Sequence, residues 1–140
     1  MTYCTCGGEV VSRKGYFIQP TIVRDISDDA RLVTEEQFCP IVPVLRYSDV
    51  DDAIARANDS DYGLAGTVWA KDIDRAFRVV TKIESGTIWI NKFLDVSPEI
   101  SFGGFKQSGI GVELGQEGLE AFTQVKTIDE ATVFREHDPS

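Results

Sequence analysis

Apolar and polar positions follow two different periods along this chain, and each change of period predicts a change of element. Apolar runs predict five strands, within residues 15–23, 41–47, 64–70, 86–91 and 122–128. Apolar residues at helical spacing predict four helices, within residues 27–33, 48–58, 72–85 and 112–121. Strands that alternate with helices favour an α/β fold with a mainly parallel sheet and flanking helices.

Polar residues, glycine and proline mark the predicted ends of these elements. Ser27, Ser48 and Asp72 are predicted N-caps, because their side-chain oxygens can accept a hydrogen bond from the first helical turn. Gly86 is a predicted C′ residue for the helix that begins after Asp72. Pro20 lacks a backbone donor, so it predicts an edge position or a bulge for the first strand.

A glycine-rich stretch from residue 100 to residue 115 breaks both periods. It holds five of the twelve glycines and surrounds a single lysine, Lys106. That glycine density indicates positive-φ backbone or the close approach of another segment. The stretch has neither phosphate-loop spacing nor a Gly-x-Gly-x-x-Gly pattern, and its apolar residues argue against a flexible linker. It predicts a shaped, buried loop over residues 92–111 that lines a site beyond the carboxyl end of a strand.

Several conspicuous side chains have an ordinary structural interpretation. Lys106 is expected to cap carbonyl groups or to pair with a carboxylate rather than to bind phosphate. Trp69 and Trp89 lie in predicted strands and are expected in the core. The phenylalanines at 93, 102 and 105 fit a core and a pocket equally well.

Composition narrows the classes of function. The chain has 140 residues, enough for one domain that buries roughly two thirds of its unfolded surface. Its net charge of −9 argues against nucleic acid and anionic membrane as partners, because both need a basic face. No apolar run approaches the roughly 20 residues of a membrane span, and no signal peptide opens the chain, so a cytoplasmic location is expected.

The chain offers few metal ligands and no convincing nucleophile. The three cysteines (Cys4, Cys6 and Cys39) lack zinc spacing, and the one histidine, His137, lies in a polar tail, so no metal site is expected. Cys39 is the tempting thiol. A thiolate nucleophile needs a nearby cation or helix N-terminus, however, and residues 35 and 36 are acidic. We expect no catalytic residue here, and a minimal thiol enzyme that uses Cys39 is the least favoured hypothesis.

Short motifs run in a fixed order from residue 7 to residue 128. They are Gly7-Gly8, Gly15-Tyr-Phe-Ile-Gln-Pro-Thr-Ile, Glu35-Glu36-Gln-Phe38-Cys-Pro40, Ala57-Asn58, Tyr62-Gly63-Leu64-Ala65, Ser85-Gly86-Thr-Ile-Trp-Ile-Asn91, Phe102-Gly103-Gly104-Phe-Lys106-Gln-Ser108-Gly109-Ile-Gly111 and Glu113-Leu-Gly115. Each motif alone is weak. In this order and spacing, the chain resembles the C-terminal part of the NAD(P)-dependent aldehyde dehydrogenases.

The resemblance implies roles for a few residues. Glu36 resembles the glutamate that hydrogen-bonds the ribose next to the nicotinamide of NAD or NADP, and Phe38 resembles the aromatic residue that packs near the nicotinamide. Without the resemblance, Glu36 would be half of a solvated acidic pair. Phe102 resembles the aromatic residue of the aldehyde pocket. The variable loop over residues 93–100, with Phe93 and Val96, resembles the rest of that pocket wall.

The same resemblance divides the chain into four parts. They are an N-terminal segment at 1–14, a partial catalytic domain at 15–121, an oligomerisation-type strand at 122–129 and a tail at 130–140. The first eight residues are expected to be either a frayed start or a severed connection. The family's cysteine nucleophile, general-base glutamate, oxyanion-hole asparagine and dinucleotide domain lie upstream of everything matched here. We therefore expect a truncated aldehyde dehydrogenase that is inactive and binds no cofactor alone.

Partners follow from the same expectation. The chain is expected to form a homo-oligomer or to bind the missing domains of a full-length relative. The alternative function is a non-catalytic module for self-assembly or hetero-assembly, because a face that normally packs on missing domains would be apolar and exposed.

Three positions depart from the usual family pattern. Cys39 stands where glycine is usual, which would alter the cofactor-side turn if that turn needs glycine's backbone angles. Ser101 replaces a proline before Phe-Gly-Gly. Val112 replaces an arginine, which would remove a charge contact.

Overall fold

The structure is a computed structural model that describes residues 3–130, with side chains from residue 6 onward. Within that range the strands are β1 (Tyr3–Cys6), β2 (Thr21–Arg24), β3 (Ile41–Val44), β4 (Tyr62–Gly63), β5 (Ala65–Val68), β6 (Thr87–Ile90), β7 (Phe102–Gly103), β8 (Phe105–Lys106) and β9 (Val112–Glu113). The helices are α1 (Arg31–Thr34), α2 (Val50–Asn58), α3 (Ile73–Val80) and α4 (Gly115–Glu120). The α/β class is confirmed.

The strands form four small sheets, which corrects the expectation of one mainly parallel sheet. Strands β1, β2 and β3 form a mixed sheet in that order, with β1–β2 antiparallel and β2–β3 parallel. Strands β5 and β6 form a parallel pair. The pairs β4–β8 and β7–β9 are antiparallel and two residues long. Parallel pairing in the described residues is therefore confined to β2–β3 and β5–β6, whose connections carry α1 and α3.

The N-terminal part of the chain differs from its prediction in three places. Residues 3–6 pair as β1, so of the two expectations for this segment the frayed start is wrong for residues 3–6. Strand β2 begins after Pro20 and lies at the centre of its sheet, so the proline limits the strand without placing it at an edge. Helix α1 begins later than predicted, and its N-cap is Ala30, which makes no side-chain capping bond. Ser27 instead donates to the carboxylate of Asp29.

Aspartates cap the two longer helices. Asp72 Oδ1 accepts a hydrogen bond from Arg75 N at 2.9 Å, as predicted. Helix α2 is capped one residue later than predicted, by Asp49, whose Oδ1 accepts from Asp52 N at 2.9 Å. Each such cap stabilises a helix by about 1 kcal/mol. The predicted C′ role of Gly86 is wrong, because α3 ends at Val80.

The core is small. Among the described residues the buried apolar side chains are Ile54, Ala76 and Trp89. Trp89 confirms its prediction, whereas Trp69 is 66% exposed and corrects it. The chain exposes 11875 Å². A folded monomer of this mass exposes about 7200 Å², and the unfolded chain about 22,500 Å². About half of the surface is buried, and the expected two thirds is wrong.

The apolar faces that would complete a core are exposed. On α3, Ile73 and Phe77 are 52% and 62% exposed. Residues 122–130 form no strand within this chain, and the side chains of Phe122, Val125 and Ile128 are almost fully exposed. A strand needs a partner for its ladder, and no other described strand lies beside this segment. His137 lies outside the described residues.

Candidate functional site

The glycine-rich stretch is built from two antiparallel strand pairs. In one pair, Phe102 lies opposite Glu113. In the other, Lys106 lies opposite Tyr62. The predicted continuous loop over residues 92–111 thus contains strands β7 and β8, and the helix predicted from residue 112 begins only at Gly115. We call residues 100–115, with their strands β7, β8 and β9, the glycine-rich unit.

Two backbones touch at its base. A Cβ atom added to Gly86 would lie 1.8 Å from the carbonyl oxygen of Gly103 and 2.7 Å from its carbonyl carbon. No side chain fits at that distance, so Gly86 serves close approach rather than helix termination. Gly109 and Gly111 have φ of 137° and 102°. Both uses of glycine that the sequence indicated are therefore present.

Lys106 ties this unit to the rest of the chain. Its Nζ donates to the carbonyl oxygen of Asn58 at 2.6 Å and lies 2.7 Å from Glu84 Oε2. Both predicted uses, carbonyl capping and a carboxylate pair, are confirmed. The backbone of Lys106 has φ of 54°, a left-handed conformation that costs a non-glycine residue about 1–2 kcal/mol. The side-chain contacts of Nζ and the backbone pairing with Tyr62 offset that cost.

A cavity of about 400 Å³ opens beside the unit. Its wall includes the side chains of Leu64, Phe102, Ser108 and Val112, together with glycine backbone. Such a lining suits a small apolar group. The expectation of a buried loop is wrong for this chain, because Ile110 in the same stretch is fully exposed.

Of the three predicted pocket residues, the structure places only Phe102 in this cavity. Phe93 packs edge-on against Trp89, with ring centroids 6.4 Å apart and an interplanar angle of 69°. Phe93 and Val96 are 66% and 47% exposed and lie outside the cavity wall. Trp89 Nε1 also donates to the carbonyl oxygen of Asp95 at 3.0 Å, which folds the variable loop back onto β6. The pocket roles of all three residues stay predictions.

Asn91 is a structural anchor that sequence reasoning missed. Its Oδ1 accepts from Ala70 N and its Nδ2 donates to Ala70 O, both at 2.8 Å. These bonds join the segment after β5 to the segment after β6. The signal was present in the residue type, since asparagine tolerates the left-handed backbone that Asn91 adopts, with φ of 55°.

The predicted cofactor-side residues lie between α1 and β3. Arg31 donates to both carboxylate oxygens of Glu35, at 2.7 and 3.0 Å, and this hydrogen bonding lowers the pKa of Glu35. Glu36 is exposed, and the ring of Phe38 is fully exposed. Cys39 Sγ, also exposed, lies 3.6 Å from Gln37 Oε1. The cofactor roles of Glu36 and Phe38 stay predictions.

The departure at Ser101 has a visible consequence. The Ser101 hydroxyl donates to the carboxylate of Glu117 on α4 and lowers the pKa of that carboxyl. A proline could not make this contact. Val112 pairs in β9 with its side chain 37% exposed.

A larger cavity of about 860 Å³ lies between α2 and the segment around α1. Arg56 crosses its wall and donates to Asp28 at 2.6 and 2.8 Å, which lowers the pKa of that carboxyl. Among residues 3–130, no group of three or more His, Cys, Asp or Glu side chains could hold a metal ion. In the same range, no helix combines the length and the hydrophobicity that crossing a bilayer requires.

Comparison with known proteins places this geometry in context. The model of the aldehyde dehydrogenase family matches residues 2–128. The chain is 44% identical over 123 residues to aldehyde dehydrogenase 1A1 of Oryctolagus cuniculus, which covers 88% of this chain and 25% of that protein. It is 46% identical over 122 residues to a mitochondrial aldehyde dehydrogenase of Leishmania tarentolae, with 87% and 24% covered. The chain spans about a quarter of the length of these curated relatives.

Solved structures of aldehyde dehydrogenases share the fold. Betaine aldehyde dehydrogenase from Staphylococcus aureus, in complex with NAD+, superposes with a TM-score of 0.81 at 43% identity, over 86% of this chain and 25% of that one. An NAD+ complex of aldehyde dehydrogenase from Bacillus cereus superposes with a TM-score of 0.86 at 44% identity, over 89% of this chain and 26% of that one.

Proposed function

Because this chain belongs to the aldehyde dehydrogenase family, we propose that it is the C-terminal segment of an NAD(P)-dependent oxidoreductase that converts aldehydes to carboxylates. The observation that carries the proposal is the glycine-lined cavity with Phe102 in its wall. An apolar cavity of this size can hold the body of a small aldehyde. In the proposal, the segment supplies part of the substrate and cofactor walls and is inactive alone.

The exposed cofactor-side residues fit NAD(P) chemically. The Glu36 carboxylate can accept hydrogen bonds from ribose hydroxyl groups, and the exposed Phe38 ring can pack against a flat nicotinamide. When bound to the intact enzyme, NAD(P) supplies the hydride acceptor. One ribose hydrogen bond contributes only about 1–2 kcal/mol, so we propose that these residues do not hold a dinucleotide unaided.

Inactivity of the isolated chain is supported by the surroundings of its thiols. Cys39 and Cys6 are exposed, and neither lines the glycine-lined cavity. Cys39 neighbours the carboxylates of Glu35 and Glu36 in sequence.

We also propose that the protein is located in the cytoplasm.

Reduction of NAD and NADP by the purified chain, across a panel of aldehydes, tests this proposal. We expect no turnover, while a full-length relative in the same assay shows turnover. Turnover that disappears in Cys39→Ser and persists in the matched control Cys6→Ser would contradict the proposal and favour the thiol enzyme. Turnover that neither substitution changes would contradict both.

A second candidate function, a non-catalytic assembly module, is favoured by one observation. Phe122, Val125 and Ile128 are 91%, 96% and 81% exposed on a segment without regular structure. An extended apolar segment of this kind can pair with a second copy of the chain or with a full-length relative. Mass in solution that rises with concentration, and falls in Val125→Asp, would support this function. A monomer at every concentration, together with no capture of a full-length relative, would exclude it.

A further inference from the structure

Lys106 lies where three segments of the chain meet. Its Nζ contacts the carbonyl oxygen of Asn58, the last residue of α2, and the carboxylate of Glu84, between α3 and β6, at 2.6 and 2.7 Å. Its backbone pairs with Tyr62. One side chain therefore joins the end of α2 and the α3–β6 turn to the glycine-rich stretch.

The backbone segments that carry the two acceptors of this ammonium group are joined to each other without it. Asn58 Nδ2 donates to the carbonyl oxygen of Lys82 at 2.8 Å. Asn58 Oδ1 accepts from Glu84 N at 2.9 Å. The Asn58 side chain thus fixes the α3–β6 turn against the end of α2. The lysine therefore bonds to two segments whose backbones are already joined, through the Asn58 carbonyl oxygen and the Glu84 carboxylate.

The residues that follow Lys106 reach the cavity wall. Gln107 N donates to the carbonyl oxygen of Asp61 at 2.8 Å. The hydroxyl oxygen of Ser108 accepts from Gly63 N at 2.9 Å. Ser108 and Gly104 line the cavity of about 400 Å³. A shift of Lys106 would move both of these wall residues, because they flank it within one tight turn.

We propose that Lys106 is a positioning residue that holds the wall of the glycine-lined cavity against α2 and the α3–β6 turn. The proposal rests on the proposed function only in treating this cavity as part of the aldehyde-facing wall. The lysine side chain is 27% exposed and Glu84 is 56% exposed, so the contact lies at the edge of the molecule and outside the cavity.

Amide hydrogen exchange of the full chain tests the proposal. Lys106→Met keeps the side-chain length and removes the ammonium group. We expect the amides of Gly63 and Gln107 to exchange about tenfold faster, because the turn that covers them opens more often. The matched control is Lys82→Met, which removes a neighbouring lysine that pairs with Asp51 at 2.8 Å. Both amides should exchange there within about twofold of the unsubstituted chain.

Two further variants separate positioning from general stability. Lys106→Arg retains the positive charge and should restore exchange to within about threefold of the unsubstituted chain. If Lys106→Met fails to fold, Glu84→Gln removes only the charged acceptor and should speed exchange by about threefold. Unchanged exchange in the methionine variant, or equal acceleration in Lys82→Met, would overturn the proposal. So would an arginine variant that exchanges as fast as the methionine variant.

The readout requires no turnover and no bound cofactor. If the exchange experiment shows that Lys106 is not a positioning residue, the proposed oxidoreductase function is unaffected. If the isolated chain turns over aldehydes, the positioning role of Lys106 is unaffected.

Discussion

The two candidate walls of the site are built in opposite ways. The glycine-rich unit holds its shape through contacts within the chain, with Gly86 against the Gly103 carbonyl and Lys106 bonded to two oxygens. The cofactor-side segment between α1 and β3 presents its aromatic residue, Phe38, fully to solvent. It leads into β3, where Val42 and Val44 are 57% and 47% exposed.

The difference lies in whether the contacts that fix a region are present within the described chain. Backbone-to-backbone contact fixes a shape wherever the two backbones are present, and both are present in the glycine-rich unit. An exposed apolar side chain gains its stabilisation only when another surface covers it. The glycine-rich stretch is therefore fixed at its base by contacts within the chain, although its Ile110 is fully exposed. The segment that carries Phe38 shows no comparable backbone contact among the described residues, and its apolar groups gain stabilisation only when another surface covers them.

The largest effect is expected from Gly86→Ala, which disturbs the backbone contact at the base of the glycine-rich unit. The new methyl group would overlap the Gly103 carbonyl. The backbone fixes the position of a Cβ atom, and the carbonyl is itself backbone, so neither group can rotate away. We expect the free energy of unfolding to fall by about 3 kcal/mol or more, measured by urea denaturation followed by circular dichroism.

Gly66→Ala is the matched control in the neighbouring strand. An added Cβ there meets no atom within 4 Å. That substitution should leave stability unchanged or raise it by up to about 1 kcal/mol, because alanine restricts the unfolded chain. Equal losses in both variants would show that the Gly86 contact is not what holds the wall.

A smaller effect should separate the two aromatic residues. Phe102→Ser removes a half-buried ring from the cavity wall and should cost about 2 kcal/mol. Phe38→Ser removes a fully exposed ring and should change stability by less than about 0.5 kcal/mol. The same urea denaturation measures both. A large loss for Phe38→Ser in the isolated chain would contradict this difference, since it would mean that the Phe38 ring is already covered.

The smallest effect concerns the Arg31–Glu35 pair, which lies beside the proposed cofactor residues Glu36 and Phe38. In the folded chain, the hydrogen bonds from Arg31 lower the pKa of Glu35 below its ordinary value of 4.5. The stabilisation from this pair is therefore complete above pH 4.5 and is lost as the pH falls through the lowered, folded-state pKa. Arg31→Gln should therefore melt slightly below the unsubstituted chain at neutral pH. The difference in melting temperature should vanish in acid. A difference that grows with acidity would have the wrong sign for this pair.

Some local signals in the sequence predicted local features correctly, whereas the capping signals at Ser27 and Ser48 did not. Asp72 caps α3 with the carboxylate that its position indicated, and Lys106 bonds to both kinds of acceptor expected of it. The capping signal lies within one helical turn. For Lys106, the residue type alone limited the choice of partners.

Features that depend on distant contacts could not be read in this way. Gly86 resembled a helix terminus, but it is required by the carbonyl of Gly103, which lies far along the chain. Trp69 has the character of a core residue, yet nothing in the described chain buries it. The predicted strand at residues 122–128 lacks a partner here. The roles of Glu36 and Phe38 depend on a ligand, and they stay predictions.

The contact between Gly86 and Gly103 also limits which second substitutions could compensate for the loss of Gly86. The atoms that exclude a side chain at residue 86 belong to the carbonyl group of residue 103, and every amino acid carries that group. A second substitution at residue 103 therefore cannot make room for the first. In a selection for suppressors of Gly86→Ala, residue 103 should yield none, and any suppressor should lie where it moves the whole glycine-rich backbone.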